Sequence, residues 1–183
     1  MAIETWTAFE SGKYKGKTAP EVVVIDPLWF FDELDGGSMT LPYCEVASIA
    51  YRASHIAIPR PDPENWRIGW VFDSADDLAS FEIIADTESN EEYSENEFLT
   101  GESEEEPCRL VTRYLSLYTA LQYIDWNPEA VKKLSDAFTN CYFGGAEPTK
   151  ERCEAFFSHG ENFVDIGIFQ PWDNPDTYML REF

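Results

Sequence analysis

Between Arg67 and Arg109 the chain has no positively charged side chain, and within that interval residues 73–106 hold 14 acids. Its centre reads DTESNEEYSENEFLTGESEEEP, where Tyr93, Phe98 and Leu99 are the only large apolar side chains. A stretch like this buries too little surface to offset its ordering entropy, and its like charges repel one another. The expectation is a surface loop or partly disordered segment over 87–107. The core must then come from the flanking sequence, and the supply is ample. Of 183 residues, 44% are hydrophobic and 15% aromatic, enough for one domain of ordinary size. The reading is one domain over 1–183, with 1–40 a small unit packed on it.

The charge is local. Residues 1–40 and 107–183 each carry a net −4 and residues 41–72 are balanced, so most of the total of −22 comes from the acidic stretch. A field of this sign repels polyanions and attracts basic surfaces, which disfavours direct DNA binding. No run approaches 18 apolar residues, and the start MAIETWTAFE lacks a basic region followed by an apolar one. The expectation is a cytoplasmic protein, neither membrane-spanning nor secreted. Cys44, Cys108, Cys141 and Cys153 form no C-x-x-C pair, and only His55 and His159 could join them. They read as reduced core thiols, with a disulfide or a metal site as the alternatives.

Periodicity gives a coarse map. A strand is expected at 3–9, then the loop SGKYKGKT, then an apolar run at 21–25. Asp26 and Pro27 read as cap and first residue of a short helix that Asp35-Gly36-Gly37-Ser38 ends. Apolar runs at 44–51 and 54–58 fit either type of element. Prolines 59, 61 and 63 break the chain before a strand at 66–72. SADDLAS reads as a turn or short helix, and residues 81–85 as a strand. Residues 108–124 show two adjoining apolar stripes at helical spacing and read as the central helix. Asn127-Pro128-Glu129 opens a helix to about 140 with Val131, Leu134 and Phe138 inward, stopped by Gly144-Gly145. A helix at 149–158 buries Cys153, Phe156 and Phe157, followed by a strand at 163–169 and an irregular tail. Strands mostly first and helices mostly after predict an α+β fold, one mixed or antiparallel sheet covered by C-terminal helices.

The most specific local string is SGKYKGKTAPEVVVIDPLWFFDEL at 11–34. Gly12-Lys13-Tyr14-Lys15-Gly16-Lys17-Thr18, followed by Asp26-Pro27-Leu28-Trp29-Phe30, resembles the small domain at the C-terminus of exodeoxyribonuclease X-like nucleases, also found free-standing in phage and bacterial proteins. The likeness covers about 25 of 183 residues and implies involvement with nucleic-acid metabolism. Two glycines allow a tight turn that presents Lys13, Lys15 and Lys17 together, as a phosphate-touching loop requires. The alternative is a hairpin turn with solvated lysines and Tyr14 packed on the sheet. The spacing is not that of a Walker loop.

Nucleases of that group also carry an apolar strand ending in D-x-E, and Phe81 to Ser89 is similar to it. The resemblance implies Asp86 and Glu88 facing a divalent ion, Mg or Mn, with His159 and Asp165 completing the site. The order and spacing depart from the family's: the loop precedes the strand, His159 precedes Asp165 by six residues rather than five, and Asp125 is the only middle aspartate on offer.

Three functions follow. The first is an acidic interaction protein, of the phage or mobile-element kind by composition, that needs no cofactor. It would present Asp76, Asp77, Glu88, Glu91, Glu92, Glu95, Glu97, Glu102, Glu104, Glu105 and Glu106 where a basic nucleic-acid-binding protein or nuclease complex expects phosphates. Duplex DNA displays one charge per about 1.7 Å, a density such a run can approach. The second is a metal-dependent exonuclease-like enzyme or accessory subunit. The third is a plain soluble assembly domain. Trp6, Trp29, Trp66, Trp70, Trp126 and Trp172 could stack bases, but such platforms sit in positive grooves, so they read as core or partner-facing.

Overall fold

The computed structural model describes residues 6–72, 78–86, 109–123 and 127–164. The first helix, α1 (Ala19–Ile25), occupies the apolar run after the lysine loop. Its three consecutive valines favour strand by propensity, yet two local features favour helix. Glu21 reaches back to accept the Thr18 N–H at 2.9 Å, and Pro20 sits in the first turn, where its missing N–H costs nothing. Ala19, Val22, Val23 and Val24 are all buried, because α1 touches four helices at once, α2 (Pro27–Asp35), α3 (Tyr43–Ala53), α5 (Pro128–Phe143) and α6 (Lys150–Ser158). A helix apolar all round belongs at the centre. This corrects the expectation that 108–124 is the central helix.

Residues 108–124 instead divide. Arg109–Thr112 is strand β3, and Leu117–Tyr123 is helix α4. Ser116 separates them by accepting the Thr119 N–H on its hydroxyl at 3.1 Å, an N-cap. The two adjoining apolar stripes had a different origin from a wide helical face. A strand buried on one side and a helix buried on another, laid end to end, produce the same string.

The sheet is three-stranded and antiparallel, in the order β2-β1-β3, with β1 at Trp66–Phe72 and β2 at Leu78–Ala85. Ile68 pairs with Ile83 and Trp70 with Phe81, placing these four on one face, where Ile68, Trp70 and Phe81 are buried. Helix α5 packs against β2. The α+β expectation holds, with one correction. Three helices precede the sheet in the chain, and the helix packed against it, α5, follows it. Leu78 to Ser80 of the SADDLAS segment, expected as a turn or helix, belong to β2.

Of the other runs, 44–51 lies within α3 and Ile56 forms isolated bridges with both Leu115 and Phe163. The bridge to Phe163 is what the described residues contain of the 163–169 strand; 165–169 lie outside them. In the expected 3–9 strand, Ala8 makes a single bridge to Thr18 and residues 3–5 lie outside the described set. One hydrophobic cluster runs from Phe9 through Phe30 and Phe31 to Phe138 and Phe157. Burial of each such aromatic contributes about 1.5–3 kcal/mol. Among the described residues no helix is long and apolar enough to cross a membrane.

Candidate functional site

The lysine loop closes as a hairpin. Phe9 donates its N–H to Lys17 O at 2.9 Å, and Gly16 donates to Phe9 O at 2.8 Å. Gly12 and Gly16 have φ of 81° and 84°, left-handed values that a side chain would strain. The turn carries Tyr14 onto α2, not onto the sheet. Its ring meets the Trp29 ring edge-on at 4.8 Å, and Phe9 reaches Trp29 at 5.5 Å.

One carboxylate organises this unit. Asp26 Oδ2 accepts from Lys13 Nζ at 2.7 Å and from the Tyr14 hydroxyl at 2.6 Å, while its Oδ1 caps α2 by accepting the Trp29 N–H at 3.1 Å. Burial pushes the Asp26 carboxyl up, but these donors together outweigh it and hold the group below its ordinary value. Lys13 is correspondingly raised, first by its hydrogen bond to Asp26. Lys17 pairs with Glu21 Oε1 at 3.1 Å, on the same carboxylate that caps α1. Lys15 is exposed, and its side chain has no partner among the described residues. Two of the three lysines therefore spend their charge on carboxylates of the same unit. Sequence reading placed Asp26 as a cap but missed its second role, and it missed Glu21 altogether. The T-x-x-E spacing of Thr18 and Glu21 was the available signal.

The proposed metal ligands are not gathered by the described residues. Asp86 forms an ion pair with Arg67 across the start of the sheet. His159 is exposed at the end of α6, its Nδ1 2.5 Å from Ala155 O. Glu88, Asp125 and Asp165 lie outside the described residues. Among the described residues no group of three or more His, Cys, Asp or Glu is arranged to hold a metal ion. The acids expected to face a partner, Asp76, Asp77, Glu88, Glu91, Glu92, Glu95, Glu97, Glu102, Glu104, Glu105 and Glu106, also lie outside, but the strand residues on either side of 86–108 do not. Ala85 pairs with Trp66 at the start of β1, and Arg109 pairs with Val71 near its end.

The remaining candidates are structural. His55 is buried between the rings of Tyr51 and Tyr114, at 4.4 and 5.1 Å, and burial lowers its pKa. Trp70 is buried and donates its indole N–H to Thr112 Oγ1 at 3.1 Å; Trp6, Trp29 and Trp66 are half-buried against the core. Trp126 and Trp172 lie outside the described residues. Cys153 is a core thiol, pushed up to about 12 by burial first and by nearby Glu21, and so a poor nucleophile at neutral pH. Cys44 is exposed, which corrects its assignment to the core: it lies in the first turn of α3, on the solvent side. Cys108 lies outside the described residues.

Set beside known proteins, the chain matches no family model, no curated protein and no solved structure.

Proposed function

We propose that this protein binds a basic nucleic-acid-processing protein by presenting carboxylates in place of a phosphate backbone. The observation that supports this reading is where the acid-only segment is tethered. Residues 86–108 connect β2 to β3, the two outer strands, and their anchors pair with opposite ends of β1. At about 3.4 Å per residue along a strand and about 4.8 Å between strands, those anchors stand roughly 20 Å apart. Ten carboxylates and no cation lie in the sequence between them. That is one charge per about 2 Å of anchor separation, close to the roughly 1.7 Å of duplex DNA. The state of the lysines agrees: Lys13 and Lys17 are occupied by Asp26 and Glu21, so the one basic string offers little to a real polynucleotide.

The test compares the native chain with a variant in which Glu91, Glu92, Glu95, Glu97, Glu102, Glu104, Glu105 and Glu106 are all glutamine. A basic DNA-binding partner captured by the native chain should dissociate steeply with rising salt, be displaced by duplex DNA, and be lost by the variant. Equal capture by the variant, or binding insensitive to salt, would overturn the reading. Magnesium- or manganese-dependent cleavage of DNA that Asp86→Ala abolishes would favour the nuclease alternative instead.

A further inference from the structure

A cleft of about 380 Å³ opens between the lysine-loop unit and α5, lined by Lys13, Asp26, Trp29 and Asp32 on one side and by Val131 and Lys132 on the other. Its size is that of a small-molecule site. Lys13 and Asp26 neutralise each other at 2.7 Å. That leaves Asp32 on α2 and Lys132 on α5, opposite charges that border the same space on separate helices. Neither has an ion-pair partner among the described residues. Trp29 forms a stiff apolar wall, its ring held by Tyr14 and Phe9.

We propose that this cleft binds a small amphipathic zwitterion, an amino acid or short peptide with a free ammonium, a free carboxylate and an apolar body. The ammonium goes to Asp32, the carboxylate to Lys132 at the positive end of α5, and the side chain to Trp29 and Val131. Charge selects this class over its neighbours. A simple anion is opposed by the net −22 of the chain, and a simple cation meets two lysines. The charged groups lining the cleft sum to zero, so a neutral ligand with separated poles enters without penalty from either. This site is independent of the acidic segment.

The test is a ¹H–¹⁵N NMR titration of the full chain with L-phenylalanine and, separately, the dipeptide leucyl-phenylalanine; the tighter of the two identifies the source. Saturable shifts are expected at the Trp29 indole and at the backbone of 128–132. N-acetyl-L-phenylalanine and L-phenylalanine amide, each lacking one pole, should bind about tenfold more weakly. Asp32→Asn and Lys132→Gln should weaken phenylalanine by a similar factor. Because both residues are exposed, their spectra should stay native. Lys132→Gln should not further weaken the amide, which has no carboxylate to lose. Absence of saturable shifts up to the solubility limit, or equal binding of the blocked and free forms, would overturn the proposal.

Discussion

The lysine-loop unit over Phe9–Asp35 and the sheet that anchors the acidic run handle charge in opposite ways. In the first, Lys13 and Lys17 each lie on a carboxylate of the unit, and that carboxylate also caps a helix. In the second, residues 73–106 contain 14 acids with no cation among them, and Arg67, which precedes the run, pairs with Asp86 among the described residues. Charge paired locally is structural, since each partner is already satisfied. Charge without a partner in its own segment is met by water or by another molecule. That contrast is why a lysine-rich string can be scaffold here, and it is the basis on which the carboxylates are proposed as the partner-binding surface.

The largest test of the comparison falls on the sheet. Trp70→Ala removes a side chain that is 1% exposed together with its hydrogen bond to Thr112, and should cost about 3–5 kcal/mol in urea unfolding. If the sheet is the platform for the acids, partner capture should fall with it; capture by an unfolded sheet would break the comparison. Asp26→Ala comes next, at about 2 kcal/mol, because it strips the α2 cap and strands Lys13 and Tyr14. Asp26→Asn keeps an acceptor for the Trp29 N–H and should lose about half as much. The pH dependence has a fixed sign. The folded-state pKa of Asp26 lies below its ordinary 3.8, so its ionised form stabilises the fold. The difference between native and Asp26→Asn should be full at pH 7 and vanish as pH falls through that lowered value.

Glu45 sharpens the contrast from within the folded core. Its Oε1 accepts the Thr7 N–H at 3.0 Å, but no cation among the described residues pairs with it; burial, with Glu154 nearby, raises its pKa. A raised carboxyl contributes stability below its unfolded value of about 4.5 and loses it as pH rises through the folded one. Glu45→Gln should therefore be more stable than the native chain at pH 7 by a small margin and indistinguishable near pH 4, read from paired melting curves. Lys15→Gln is the smallest effect, within about 0.5 kcal/mol, since Lys15 is exposed and has no side-chain partner among the described residues. A loss as large as that of Asp26→Ala would show that the loop's lysines act as a set.

Legibility followed the range of the physics involved. The Asp26-Pro27 start of α2, the Asn127-Pro128-Glu129 start of α5 and the inward faces of α5 and α6 were readable because caps and helical periodicity act within a few residues. The helical state of Val22–Val24 was not, since burial on four helices overrides the propensity of valine. The split of 108–124 was missed because β1, its strand partner, lies about 40 residues earlier. In the lysine loop the turn was legible from Gly12 and Gly16, while the common use of Asp26 by Lys13 and Tyr14 was not. The cleft between Asp32 and Lys132 joins positions 100 residues apart and left no trace in the string.

Composition and local pattern alone determined that the chain has a core, that its negative charge is concentrated in one cation-free run, and where its capped helices begin. These are properties of neighbouring residues and need no long-range contact. Tertiary structure decided which helix is central, that the acidic run is held at opposite ends of one strand, and that Lys13 and Lys17 face carboxylates of their own unit. Each of these depends on which distant surfaces meet, and burial and pairing energies settle that only once the whole chain has closed on itself.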